Sequence, residues 1–272
     1  MTHKIIYISI SEFPGKIGWT MHNAAYKELG LNCMYIPLKV NSENLENIIQ
    51  IIKALGIRGC SVSMPHKSKI IKYLDKIDEK SKEIGAVNTV INYNGKLNGY
   101  NTDYYGILTA LNEIYDSKGK EAIVIGAGGI ARAAVSALKD SGFKKISILN
   151  RTSSKAKNLA KQFNVDFLEM KNLENIAGDI FINATPIGTN NIEQKSLINK
   201  KLLKKFEVVL DVAINQQETN LIKIGKELNL IVIPGHRIAL LQAAKQFEMY
   251  TGQKAPLKVM EKSLMNLIGV KI

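Results

Sequence analysis

The sequence predicts an α/β protein with mostly parallel sheets, organised as two domains. Strand-like and helix-like segments alternate from end to end. A short apolar strand, Glu121–Ile125, runs straight into the glycine-rich turn Gly126-Ala127-Gly128-Gly129-Ile130-Ala131, the pattern of a mononucleotide-binding unit. The 272 residues, 46% hydrophobic and 22% charged, suffice for one large domain or two ordinary ones with real cores.

Residues 5–10 form the first strand, and a loop with Gly and Pro leads to a helix over 21–29 that stops at Gly30. A second strand over 33–37 precedes a helix over 42–55. A short buried strand lies within 56–63, and Met64-Pro65-His66-Lys67 turns into the helix that follows. Strands over 87–91 and 96–99 flank Asn94-Gly95, a dipeptide that favours a tight hairpin turn. Residues 104–112 read as a helix. The second domain then supplies strands over 121–125, 145–149, 179–183, 207–212 and 230–233, with a small-residue helix over 132–138. A helix over 238–252 and one more close the chain. The expected division is a domain over 1–102, a Rossmann-type nucleotide-binding domain over 103–235, and C-terminal helices over 236–272 that pack back on the first domain. The active site is expected in the cleft between the two domains.

Composition excludes several classes. The formal charge is +13, yet 33 of the 37 basic residues are Lys and only Arg58, Arg132, Arg151 and Arg237 are Arg, spread along the whole length. A phosphate-backbone surface calls for clusters, Arg and interleaved aromatics, so the expected partner is a small anionic molecule and not nucleic acid. Cys33 and Cys60 are too few for a disulfide framework and stand in no metal-binding spacing, which fits a reduced, cytoplasmic protein without a metal. No apolar run approaches the roughly 20 residues of a membrane-spanning helix, and the first residues read as a strand, not a signal peptide. The expected assembly is a monomer or a homodimer.

The glycine turn defines the cofactor. Gly126 permits the tight turn, Gly128 lets backbone approach a pyrophosphate, and Ala131 permits close helix-on-strand packing. Gly126, Ala127, Gly128, Gly129 and Ile130 thus offer backbone N–H groups at a helix N-terminus. The next strand, Lys145–Leu149, ends in Asn150-Arg151-Thr152, where an NAD site would place an acidic residue on the ribose. A neutral residue followed by Arg suits a 2′-phosphate, so the cofactor read here is NADP. The competing reading is a structural turn with an incidental surface Arg.

Six motifs in series resemble the shikimate dehydrogenase family: Ser61-Val62-Ser63-Met64-Pro65-His66-Lys67, Gly85-Ala86-Val87-Asn88-Thr89, Gly99-Tyr100-Asn101-Thr102-Asp103-Tyr104-Tyr105-Gly106, Gly126–Ala131 with Asn150-Arg151-Thr152, Asn183-Ala184-Thr185, and Leu241-Gln242-Ala243-Ala244. The similarity spans nearly the whole chain, and around 59–67 and 241–251 it is greatest to the shikimate dehydrogenase-like branch. It implies reversible hydride transfer between NADP and the ring carbon that is alcohol in shikimate and ketone in 3-dehydroshikimate. It further implies that Lys67 and Asp103 are the catalytic pair, since an alkoxide formed by hydride transfer needs a nearby acid and alcohol oxidation needs the same group as a base. Ser63, Asn88 and Gln242 match the family's contacts to the substrate ring. Thr185 and Gly235 match positions on the nicotinamide side, and Asn150, Arg151 and Thr152 match the adenosine-phosphate contacts. Each has an ordinary reading beside this one: Lys67 as a solvated lysine in a first helical turn, Asp103 as the N-cap of the next helix, Asn88 as a turn residue, Gln242 as a helix-face amide.

One region departs from the family. Two serines and a proline precede its His-Asn helix start; here, aligned on His22-Asn23, those positions hold Lys16, Gly18 and Trp19. Lys16 and Thr20 then become the expected holders of the substrate carboxylate, helped by backbone N–H groups. Trp19, the only Trp, reads either as a wall of the pocket or as ordinary packing. Ile214 stands where the family usually has Tyr. The alternatives are therefore the same reaction on quinate, an amino-shikimate or another hydroxy acid, or an NADP-binding regulatory protein without turnover.

Overall fold

The computed structural model describes residues 3–189, 198–215 and 218–270, and the chain divides into two compact units, residues 1–102 with 242–267 and residues 103–241 with 268–270.

The first unit holds β1 (Ile5–Ser11), α1 (Ile17–Glu28), β2 (Cys33–Lys39), α2 (Leu45–Ala54), β3 (Gly59–Val62), β4 (Lys76–Ile77), α3 (Glu79–Ile84), β5 (Thr89–Tyr93) and β6 (Lys96–Tyr100). Its sheet runs β2-β1-β3-β5-β6-β4; β1, β2 and β3 are parallel, and β5 is antiparallel to both its neighbours. In α2 the buried residues are Leu45, Ile48, Ile49 and Ile52, one apolar stripe at helical spacing. They pack on Ile8, Ile10, Cys60 and Val62 of the sheet. Asn94 and Gly95 both take left-handed backbone, with φ of 52° and 89°, as a two-residue hairpin of this twist requires. Residues 242–267 belong to this unit. The Tyr7 hydroxyl donates to the Tyr250 carbonyl at 2.9 Å, and β3 has glycine at 59 because a Cβ there would fall 2.5 Å from the Tyr250 ring.

The second unit begins with α4 (Thr102–Ile114), whose first residue closes the first unit, and continues with β7 (Glu121–Ile125), α5 (Gly129–Asp140), β8 (Lys145–Leu149), α6 (Ser153–Phe163), β9 (Asp166–Phe167), β10 (Ile180–Asn183), α7 (Lys200–Leu203), β11 (Val208–Asp211), α8 (Asn220–Glu227) and β12 (Ile231–Ile233). Then α9 (Gly235–Thr251) passes from this unit to the first, and α10 (Leu257–Ile268) follows. The sheet order is β12-β11-β10-β7-β8-β9, parallel throughout. Every residue of β10 and β11 is buried, as expected of strands covered on both faces. In α5, Ala131, Ala133, Ala134 and Ala137 are buried together with Val135 and Leu138, so small side chains make up most of the face that meets the core. The chain moves outward from β7 through β8 to β9 and then returns to β10. The strand order therefore reverses between β7 and β10, and in open α/β sheets ligands bind outside the carboxyl ends of strands at such a point.

Three local expectations change. Residues 64–69 form turns, with only a short 3₁₀ helix at Ile70–Tyr73. The Lys67 carbonyl, which a helix would need, instead accepts the Val87 N–H at 2.8 Å. The first helix starts at Ile17 and not at 21, through the helical bond from Thr20 N–H to the Lys16 carbonyl at 2.8 Å, and so absorbs Gly18 and Trp19. Asp103 is the second residue of α4, not its N-cap. Among the described residues, no helix is long and apolar enough to cross a membrane.

Candidate active site

Asn88 organises the first unit. It is 3% exposed just before β5, and its side-chain oxygen accepts from the Thr102 N–H at 2.6 Å, Thr89 Oγ1 at 2.8 Å and Thr102 Oγ1 at 3.1 Å. With that oxygen turned inward, the amide nitrogen donates to Gln242 Oε1 at 3.5 Å, and Thr102 Oγ1 reaches the same oxygen at 3.4 Å. Residues 88, 102 and 242, far apart in sequence, thus present one polar group. Gln246, one turn beyond Gln242 and 3% exposed, braces it from behind: its amide donates to Thr89 Oγ1 at 2.9 Å and to the Asn88 carbonyl at 3.3 Å, and its oxygen accepts from Ser61 Oγ at 3.0 Å.

The backbone ties Lys67 to this group, since its carbonyl holds Val87, the residue before Asn88. Lys67 is half-buried and Ser63 exposed. Asp103 follows Thr102 directly and is 6% exposed, in the first turn of α4, where the helix dipole favours a carboxylate.

The loop that departs from the family lies at the start of α1. Lys16 is exposed and occupies the N-cap position without a side-chain cap. A Cβ on Gly18 would lie 3.1 Å from the Tyr35 hydroxyl, so glycine lets that hydroxyl close on the helix. The Thr20 hydroxyl is enclosed and makes no hydrogen bond. Trp19 is 46% exposed, which removes the reading of it as ordinary core packing. His22 is fully buried and stacks on Tyr35 with ring centroids 4.6 Å apart; burial holds its imidazole down to about 4.

In the second unit the expected cofactor residues follow strand ends that stand side by side. Ile125 pairs with Leu149 and with Asn183, so Gly126, Asn150 and Ala184 leave the sheet along one carboxyl edge. Gly126 has φ of +128°, and a Cβ on it would lie 2.6 Å from the Ala184 carbonyl oxygen. Gly128 is the N-cap of α5, and nothing lies within 4 Å of where its Cβ would stand. The first N–H groups of a helix have no partner inside it, so the turn is an open cradle edged by backbone donors, which fits a pyrophosphate. Ala127, Gly129 and Ile130 are half-buried around it. At the end of β8 the Asn150 amide donates to the Thr152 carbonyl at 3.0 Å, and Arg151 is exposed between them. This donor set contains no carboxylate and suits a 2′-phosphate.

At the end of β10, Asn183 Oδ1 accepts from the Thr185 N–H at 3.0 Å and from its hydroxyl at 2.7 Å. Asn183 in turn donates to Asp211 Oδ1 at 2.8 Å, and Thr219 donates to Asp211 Oδ2 at 2.6 Å. Burial pushes the Asp211 carboxyl up to about 6, against the lowering by these donors. A Cβ on Gly235 would meet the Ala213 carbonyl oxygen at 2.4 Å, so only glycine allows α9 to start there.

Thr102, Gln246 and Asp211 were not among the expected site residues. Thr102 had a signal, its place beside Asp103 in a motif; Gln246 had its position one helical turn after Gln242. Asp211 had none beyond ending an apolar strand.

Comparison with known proteins agrees along the chain. Residues 18–90 match the shikimate dehydrogenase substrate binding domain, 109–222 match shikimate / quinate 5-dehydrogenase, and 235–265 match the shikimate 5′-dehydrogenase C-terminal domain. The shikimate dehydrogenase (NADP(+)) of Methanothermobacter thermautotrophicus is 37% identical over 259 residues, 92% of this chain and 91% of that one. A solved shikimate 5-dehydrogenase-like protein is 34% identical, with a TM-score of 0.88 over 96% of both chains. A shikimate dehydrogenase solved in complex with NADP+ is 38% identical, with a TM-score of 0.88 over 98% of this chain and 96% of that one. The motifs, the two folds and these matches lead to one assignment: the chain belongs to the shikimate dehydrogenase family.

Proposed function

We propose that this protein is an NADP-dependent oxidoreductase that interconverts shikimate and 3-dehydroshikimate. The observation that carries the reading is the group formed by Asn88, Thr102 and Gln242: a buried amide is oriented by three hydrogen bonds and joined through the backbone to Lys67 on one side and Asp103 on the other. Asn88 and Gln242 are suited to adjacent ring hydroxyls, since each amide offers both a donor and an acceptor. Ser63, Lys16 and Thr20 complete the proposed substrate contacts. The bound NADP supplies the hydride acceptor, held by the backbone of Gly126, Ala127, Gly128, Gly129 and Ile130, by Asn150, Arg151 and Thr152 at its phosphate end, and by Thr185 and Gly235 at its nicotinamide end.

In the reductive direction the Lys67 ammonium donates its proton to the ketone oxygen, whose carbon would take the hydride of the bound cofactor, and the Asp103 carboxylate accepts a hydrogen bond from a ring hydroxyl. In the oxidative direction Lys67 takes that proton back. The same reading sets the enzyme in a reducing cytoplasm, consistent with free Cys33 and Cys60, as a monomer or homodimer acting on a small molecule.

The exchange of two serines for Lys16 and Gly18 favours a second reading, the same reaction on quinate, an amino-shikimate or another hydroxy acid with a different carboxylate end. The test is formation of reduced nicotinamide, followed by its near-ultraviolet absorbance, with shikimate and NADP beside quinate and NAD controls. Robust turnover with shikimate, lost in Lys67→Ala by at least about a hundredfold, is expected for a general acid. Turnover only with another acid establishes the second reading, and turnover unchanged in Lys67→Ala removes the assigned role.

A further inference from the structure

Asp211 is 1% exposed at the end of β11, an expensive place for a carboxylate. Both its oxygens are engaged: Oδ1 accepts from Asn183 Nδ2 at 2.8 Å and from the Ala213 N–H at 3.0 Å, and Oδ2 accepts from Thr219 Oγ1 at 2.6 Å. Asn183 passes the constraint on. Its oxygen fixes Thr185, its amide also donates to the Ile187 carbonyl at 3.0 Å, and Thr185 Oγ1 accepts from the Ile187 N–H at 3.2 Å. The loop after β11 is locked to the same loop, because Asn215 donates to the Gly188 carbonyl at 3.3 Å. Gly188, at φ of +100°, leaves only 3.3 Å from a Cβ position to Ala213 and to Thr219. Gly235 rests on Ala213 in turn.

We propose that Asp211 is a positioning residue that, through Asn183 and Thr219, sets the two loops receiving the nicotinamide half of the cofactor and leaves the phosphate half untouched. The inference rests on the reading of Thr185 and Gly235 given above. The chemistry calls for a carboxylate. An amide at 211 keeps one acceptor oxygen for Asn183 and Ala213, but turns an N–H donor toward Thr219, whose oxygen already accepts the Ile222 N–H as the cap of α8. Among the described residues, the phosphate cradle, Gly126–Ala131 with Arg151, makes no hydrogen bond to this network and meets its loop only where Gly126 packs on the Ala184 carbonyl.

Calorimetric titration with NADPH and with adenosine 2′,5′-bisphosphate, which lacks the nicotinamide, tests the proposal on the whole chain without turnover. Asp211→Asn and Thr219→Val are expected to weaken NADPH about tenfold, the effect of one lost hydrogen bond to a charged group, and to keep bisphosphate affinity within about twofold. Thr219→Ser, which retains the hydroxyl, is expected to restore NADPH affinity. Thr219→Val and Thr219→Ser decide the matter if Asp211→Asn does not fold. Equal loss of both ligands, no loss of either, or no recovery in Thr219→Ser overturns the proposal. A wild-type chain that binds the bisphosphate but not NADPH overturns the functional reading itself, and the proposal with it.

Discussion

Arg151 stands exposed at the end of β8 between Asn150 and Thr152, and no acidic residue interrupts that run. A guanidinium offers a planar fork to a phosphate and much less to a pair of ribose hydroxyls. Arg151→Ala is therefore expected to weaken NADP at least about tenfold and NAD by no more than about twofold, a ratio read from cofactor titrations. An equal loss for both would remove the 2′-phosphate role. This residue was legible in the sequence because its meaning is local: a strand, a turn and a basic residue in fixed order. Asn88 was legible only as a member of a motif. What braces its backbone carbonyl, Gln246, lies 158 positions away, and Asp211 meets Asn183 across 28 positions. Such pairings belong to the folded chain and leave no periodic trace.

Elements were legible where their signal is carried by a continuous apolar run. The strands β7 and β8 fall where the sequence puts them, because past the charged residue that opens each one β7 is apolar and β8 departs only at Ser147, the near-continuous run of a buried parallel strand. The segment 64–69 was misread because its local residues permit a helix and a distant N–H, that of Val87, takes the carbonyl a helix would use. The turn joining β7 to α5 makes two glycines testable against each other. Gly126→Ala forces a side chain into φ of +128° and to 2.6 Å from backbone oxygen, and is expected to cost about 1–3 kcal/mol, read as a fall in urea midpoint. Gly128→Ala adds a methyl where nothing lies within 4 Å, at backbone angles any residue adopts. It should leave the midpoint nearly unchanged and lower NADPH affinity, because the methyl occupies the side open to the pyrophosphate. Retained affinity in Gly128→Ala would show that the phosphate does not sit on this turn.

For the whole molecule, each unit holds one buried group, His22 and Asp211, that burial moves to between about 4 and 6, and the two respond to pH in opposite directions. His22, in the first unit, is held down to about 4 by burial. Its unfolded form takes a proton that the folded form refuses, so its contribution is present above the ordinary histidine pKa and is lost as pH falls toward 4. Asp211, in the second, is held up at about 6 by burial. Its folded form keeps a proton that the unfolded form releases, so its contribution is present below the ordinary carboxyl pKa and is lost as pH rises through 6. Each shift of about two units is worth roughly 3 kcal/mol. Between pH 4 and pH 7 the two terms oppose, and a substitution at either position exposes the other. His22→Phe, similar in shape to the stacked imidazole, is expected to lose less stability than wild type on going from pH 7 to pH 4, by roughly 2–3 kcal/mol. Asp211→Asn is expected to lose more than wild type over the same interval, by a similar amount. Urea unfolding at both pH values decides this, with Trp19 emission reporting the first unit and far-ultraviolet circular dichroism the whole chain. Because every other titrating group is common to the three proteins, the comparison isolates these two terms. Shifts of the same sign in both variants would contradict the opposed assignment.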